Sequence, residues 1–182
     1  MKMTDEIRIE APRDKVYAAL NDTETLKKAI PGCQDLERIS ETELTATVQA
    51  KVGPVKAKFK GNVTLSDLNP PESYTISGEG KGGVAGFAKG QAKVTLTEDG
   101  NATVLRYEVD ADVGGKLAQV GSRLIEGTSK KLAGEFFETF SVLVSGTESE
   151  EAPAEAPSDG LPVGWIIGAL VISLIGIFIY FL

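Results

Sequence analysis

Between Leu44 and Val113 the chain alternates apolar or small residues with polar ones, segment after segment. Leu44, Ala46, Val48, Ala50 and Val52 alternate with Thr45, Thr47, Gln49 and Lys51. After Gly53-Pro54, Val55, Ala57, Phe59, Gly61, Val63 and Leu65 alternate with Lys56, Lys58, Lys60, Asn62 and Thr64. Asn69-Pro70-Pro71 turns the chain, and Tyr74, Ile76, Gly78 and Gly80 follow. A Gly-rich turn leads to Ala88, Gly90, Ala92, Val94 and Leu96. Glu98-Asp99-Gly100-Asn101 is a hairpin signal before Leu105, Tyr107, Val109, Ala111 and Val113. A period of two predicts strands with one dry and one wet face, hence an antiparallel sheet. Cys33 to Ile39 reads as a weaker strand, and Met3 to Ala11, with Ile7 and Ile9 on one face, as another.

Two short helices are expected between those outer strands. Pro12 suits a first helical turn ahead of Val16, Tyr17 and Leu20. Asp22 is a plausible N-cap for a helix carrying Leu26 and Ile30, which Pro31-Gly32 ends. At the other end of the domain, Leu117 to Leu143 reads as one long helix with apolar residues at helical spacing. It contains Gly121, Gly127 and Gly134, each costing a helix interior about 1 kcal/mol against alanine, which suggests close approach to its backbone. The order is strand, two helices, six strands, long helix: an α+β domain whose curved sheet covers its dry face with the last helix.

The inward positions are small: Ala46, Ala50, Ala57, Gly61, Gly78, Gly80, Ala88, Gly90, Ala92 and Ala111 face a helix holding Gly121, Gly127 and Thr128. Two outcomes stay open. Either the helix lies very close to the sheet, or an apolar pocket remains. A pocket is expected to be lined by Phe59, Ile76, Phe87, Tyr107, Leu117, Val120, Gly121, Leu124, Thr128 and Leu132. Lys56, Lys58 and Lys60 form a basic row on the wet face, a solvated face by default and otherwise a docking site for an acidic partner or anionic headgroups.

Residues 1–147 form the domain. Residues 148–160 form a linker of Glu, Ser, Pro and Ala, too poor in apolar residues to fold alone. Residues 161–182 carry no charge, and 22 residues at about 1.5 Å each span roughly 33 Å, enough for a bilayer core. Trp165 and Tyr180 lie near the ends of this run, as interfacial aromatics do. A single-pass C-terminal anchor in the cell membrane is expected. The charged N-terminus is not a signal peptide, so the domain is expected on the cytoplasmic side. The chain's net charge is −7, and five of its 26 acids lie in the linker. The domain, with all 19 basic residues, is thus near −2, which does not suggest nucleic-acid binding.

The inventory for catalysis is thin. There is no histidine, and strand acids point to water. Cys33 has no histidine partner and reads as an inert, half-buried thiol suited to a reducing compartment. Gly78-Glu79-Gly80-Lys81-Gly82-Gly83 lacks the Lys-Ser/Thr and following helix of a phosphate loop. No catalytic or metal-ligating residue is expected.

Ile30-Pro31-Gly32-Cys33, Val52-Gly53-Pro54-Val55, Phe59-Lys60-Gly61 and Gly82-Gly83-Val84-Ala85-Gly86-Phe87-Ala88 together resemble the CoxG family of carbon monoxide dehydrogenase subunits. That family belongs to the START-like, or SRPBCC, helix-grip superfamily. The resemblance implies a fold that binds hydrophobic ligands between sheet and long helix. It also implies a non-catalytic accessory protein of a molybdenum hydroxylase such as carbon monoxide dehydrogenase. Such a protein would recruit the enzyme to the membrane and bind a lipoquinone such as menaquinone, linking the enzyme to the respiratory chain. A ligand-free membrane-recruitment dock for that enzyme is the alternative. An enzyme of the cyclase or hydrolase kind, as the superfamily also contains, is disfavoured by the missing histidine and inward acid pair.

Overall fold

The computed structural model describes residues 1–146. The expected linker and membrane span at 148–160 and 161–182 lie outside the described residues. Among the described residues no helix is long and apolar enough to cross a membrane.

The alternating segments are strands: β1 Lys2–Ile9, β2 Cys33–Arg38, β3 Glu43–Val52, β4 Val55–Asn69, β5 Ser73–Lys81, β6 Phe87–Asp99 and β7 Ala102–Gly114. They form one antiparallel sheet in the order β1-β7-β6-β5-β4-β3-β2. The hairpins stack in sequence, and β1 closes against β7. Inward residues meet across the register: Ala46 faces Gly61, Gly61 faces Gly80, and Gly80 faces Ala88. The turns fall alternately at two ends of the sheet. The proximal end holds the β3–β4 turn, the loop 82–86 and the end of β7. The distal end holds the β2–β3, β4–β5 and β6–β7 turns.

Helix α1 spans Arg13–Leu20 and α2 spans Thr23–Ala29. Asp22 caps α2, its carboxylate accepting from the Thr25 N–H at 2.8 Å. Both short helices pack against the last helix.

The expected single helix over 117–143 is two: α3 Lys116–Gln119 and α4 Ser122–Ser145. Gly121 separates them with φ +96, a conformation that side-chain-bearing residues rarely adopt. The helix also presents another face than the glycines suggested. Ile125, Ser129, Leu132, Ala133, Phe136, Phe137, Phe140 and Val144 are its buried residues. A Cβ at Gly121, Gly127 or Gly134 would meet nothing within 4 Å. These glycines border open space rather than the sheet.

Large rings line the inner side of α4. Tyr107 stacks on Phe137 with centroids 5.6 Å apart, and Phe136 stacks on Phe140 at 5.4 Å. Phe136 meets Phe137 edge-on at 5.0 Å. Such pairs add about 0.5–1.5 kcal/mol each beyond the area they bury.

Candidate functional site

The interior between sheet and α4 is the candidate site. Its floor is the Ala/Gly region of the sheet, with Ala88 and Ala92 fully buried. An apolar cavity of about 20 Å³ remains, walled by Leu20, Leu26, Leu44, Val63, Leu65, Tyr74, Ile76 and Phe136. That volume is about one water. Arg38 supplies the polar part of its rim. The Arg38 guanidinium donates to the Asn21 carbonyl at 2.6 Å and to the Glu41 carbonyl at 2.9 Å, tying the α1–α2 turn to the β2–β3 turn.

At the proximal end, short glycine-flanked pieces close the interior. α3 lies between Gly115, at φ +78, and Gly121. It carries Leu117, which is fully buried. Loop 82–86 includes a 3₁₀ turn, Gly83–Ala85, that packs against α3 and β4. The ring of Phe59 fills the space beside Gly82, and the ring of Phe87 lies against Gly114. Leu124 and Val120 lie against Gly53 of the β3–β4 turn, where a Cβ would be 2.8 Å from Leu124 Cδ2 and 3.4 Å from Val120 Cγ1.

Of the residues expected to line a pocket, Phe59, Ile76, Tyr107, Leu117 and Leu132 are buried in this interior. The others are placed differently. Phe87 and Leu124 are exposed, Val120 is half-buried, and Gly121 borders open space. Thr128 is half-buried, its hydroxyl donating to the Leu124 carbonyl at 2.8 Å. The reason is helical phase: Ile125, Ser129 and Leu132 take the inward side, which turns Leu124 and Thr128 away. Phe87 pairs with Lys81 and Gly114 at the start of β6, one position out of phase with inward Ala88. Sequence reasoning missed the cavity walls Leu20, Leu26, Leu44, Val63, Leu65, Tyr74 and Phe136. Their signal was the apolar spacing itself, which does not show where packing leaves a gap.

Tyr107 stands out chemically. It is fully buried, yet its hydroxyl has no hydrogen-bond partner among the described residues. Burial raises its phenol well above the ordinary value, and the Asp5 carboxylate adds to this. It is therefore a neutral donor. Burial also pushes the Cys33 thiol up, despite the opposing charge of Lys27, and the half-buried sulfur donates to the Asp35 carbonyl at 3.5 Å. That combination makes a poor nucleophile.

Lys56, Lys58 and Lys60 lie exposed on the outward face of β4, none in an ion pair among the described residues. Lys60 borders an open polar groove of about 430 Å³ with Asp35, Thr47, Asn62, Glu79 and Lys81.

Comparison with solved structures places this architecture among START-like folds. A conserved protein from Geobacillus kaustophilus is 31% identical with a TM-score of 0.76, over 80% of this chain and 96% of that one. A START superfamily protein from Mycobacterium smegmatis is 16% identical, TM-score 0.55, over 80% and 94%. The Zhui aromatase/cyclase from Streptomyces sp. R1128 is 12% identical, TM-score 0.58, over 79% and 93%. The last two are likenesses of fold alone. No curated protein gives a significant sequence match. The family model for CoxG, a carbon monoxide dehydrogenase subunit, matches residues 6–145, most of the chain. The chain belongs to the CoxG family of carbon monoxide dehydrogenase subunits.

Proposed function

We propose that this protein is a non-catalytic accessory protein that binds a lipoquinone, menaquinone in the first instance, between its sheet and α4. It serves a molybdenum hydroxylase such as carbon monoxide dehydrogenase and links it to the membrane respiratory chain, with residues 161–182 holding it in the membrane. The observation that carries the reading is the orphan hydroxyl of Tyr107, buried on the inward face of the sheet with the Asp5 carboxylate as its charged neighbour. A buried donor without an acceptor costs about 1–3 kcal/mol. A quinone offers the matching chemistry: carbonyl acceptors on an apolar ring, followed by an apolar tail.

A cavity of about 20 Å³ does not hold a quinone ring, so binding displaces side chains. The Ala/Gly floor supplies space once Phe59 and Leu117 move, and Gly115 and Gly121 give α3 hinges at both ends. Phe59, Ile76, Tyr107, Leu117 and Leu132 then contact the ligand.

The test is organic extraction of the full chain purified from a menaquinone-producing host, with Tyr107→Phe alongside. Co-purified menaquinone, reduced in Tyr107→Phe, supports the reading. A chain that carries none and takes up none when it is added sinks it.

A second reading, a ligand-free dock for the same enzyme, is favoured by the groove beside Lys60. Reversing Lys56, Lys58 and Lys60 to Glu would then release the enzyme from membranes. Unchanged co-sedimentation would count against it.

A further inference from the structure

Exposed apolar side chains lie at both ends of the domain, Ile39, Leu68, Val142 and Leu143 toward the distal end and Val84, Phe87 and Leu124 at the proximal one, and what distinguishes the two ends is the charge around them. At the proximal end Val84 is 85% exposed, Leu124 46% and Phe87 40%. They come from separate elements gathered there: Val84 from the 3₁₀ turn, Phe87 from the start of β6, Leu124 from the first turn of α4. Around them stand Lys51, Lys56, Lys116 and Arg123, all exposed and none in an ion pair among the described residues. Lys51 and Lys56 face each other across the β3–β4 hairpin. The nearest acids on these strands are already opposed: Glu79 pairs with Lys81 at 3.3 Å, and Asp112 stands opposite Lys89.

The distal end is acidic, with Glu41, Asp67, Glu72, Glu98 and Asp99 in or beside its three turns. Arg8 and Arg13 pair with three of these. The last described residue, Gly146, lies beside Lys15 of α1, the helix whose Arg13 reaches those distal acids. α4 runs 24 residues between the two ends, about 36 Å at 1.5 Å per residue.

From this division we infer that the proximal end, through Val84, Phe87 and Leu124 ringed by Lys51, Lys56, Lys116 and Arg123, is a seat for the surface of an anionic bilayer. Exposed apolar side chains with a basic rim match acyl chains beneath anionic headgroups. A protein interface can also join an apolar core to a polar rim, so what commits the seat to lipid is the uncharged run 161–182 that follows the domain. The inference rests on the reading of 161–182 as a membrane span. The 14 residues from 147 to 160 reach roughly 46–50 Å at 3.3–3.6 Å each, more than the length of α4. The domain can therefore lie over and bring its proximal end to the membrane that holds it. The acidic distal end and the five linker acids are repelled by the same lipid, which favours that orientation. It turns α3 and loop 82–86, the pieces that close the interior, toward the lipid.

The experiment uses the full chain in phosphatidylcholine vesicles with and without about a third phosphatidylglycerol, in a Cys33→Ser background. A spin label goes at Val84→Cys or, as the distal control, at Asn101→Cys. Oxygen and nickel-chelate accessibilities are read by power saturation. The inference predicts lipid-like accessibility at 84 only in the anionic vesicles, and water-like accessibility at 101 in both. Adding Lys51→Glu, Lys56→Glu and Arg123→Glu should return position 84 to water. Should that triple variant not fold, the two lipid mixtures still give the answer on the singly labelled chain. Water-like accessibility at 84 in both mixtures overturns the inference, as does immobilisation there only when a soluble protein is added. Quinone content is measured on the same samples, so a seated tip on a quinone-free chain would sink the lipoquinone reading alone. Resistance to carbonate extraction reads the membrane span separately.

Discussion

The ring of Phe59 occupies the place where residue 82 would carry a side chain: a Cβ built on Gly82 would lie 2.8 Å from Phe59 Cδ1, 2.9 Å from Cζ and nearer still to Cε1. Gly82 begins the loop that closes the proximal end, and Phe59 is 1% exposed, so neither has room to yield. Gly82→Ala is expected to lower stability by about 1–3 kcal/mol, the usual cost of overpacking. Phe59→Leu should itself destabilise, but Gly82→Ala in that background should cost less than it does alone. A double-mutant cycle by urea denaturation checks this. Strict additivity would mean that the ring and the loop are not in contact.

The helix glycines should behave in the opposite sense. A Cβ at Gly127 or Gly134 meets nothing within 4 Å, and both sit in the interior of α4. Replacing either with alanine should raise stability by about 0.5–1 kcal/mol, through helix propensity and reduced freedom of the unfolded chain. Chemical denaturation of the two single variants measures it. A loss of stability in either would return that glycine to the close-packing role its sequence position suggested.

Those glycines mark where the sequence is legible and where it is not. Period-two alternation locates every strand, because each inward residue is set by the pleat alone. Gly53-Pro54 and Glu98-Asp99-Gly100-Asn101 locate hairpins by turn chemistry. The phase of α4 is harder. Leu124 and Thr128 fit one apolar stripe, and Ile125, Leu132, Phe136 and Phe140 fit another about a quarter-turn away. Tertiary packing decides between them, and it buries the face of Ile125, Leu132, Phe136 and Phe140. The break at Gly121 is a matter of φ, which spacing does not carry. Spacing also leaves open the choice between a close helix and a pocket, because the cavity of about 20 Å³ beside Phe136 is a matter of packing.

Tyr107 provides a test that separates folding from binding. Its orphan hydroxyl is a liability in the empty interior, so Tyr107→Phe should raise stability by about 1 kcal/mol. If that hydroxyl holds a quinone carbonyl, the same change should weaken menaquinone binding about five- to tenfold, the usual worth of one neutral hydrogen bond. Thermal melts and quinone titration of the same preparations give both numbers. A variant that binds quinone as well as the parent removes Tyr107 from the site.

Glu135 predicts a pH dependence. Burial pushes its carboxyl up from 4.5 to about 7, with the charge of Glu138 adding and that of Lys131 opposing. One of its oxygens is buried without a partner among the described residues. The folded state thus holds this proton more tightly than the unfolded chain does. Stability conferred by Glu135 is full below about pH 4.5 and is lost as pH rises through about 7. Glu135→Gln should melt near the parent at pH 4 and above it at pH 8. Equal melting temperatures of the two proteins at pH 8 would show that the carboxylate is solvated.

The central claim is that the space between sheet and α4 takes up a quinone, and quinone extraction from the full chain purified out of a menaquinone-producing host tests it most directly. The account predicts menaquinone near one per chain, falling sharply in a Leu117→Trp variant that wedges the interior shut while still melting cooperatively. A parent chain that comes out empty and gains no quinone on incubation would contradict it.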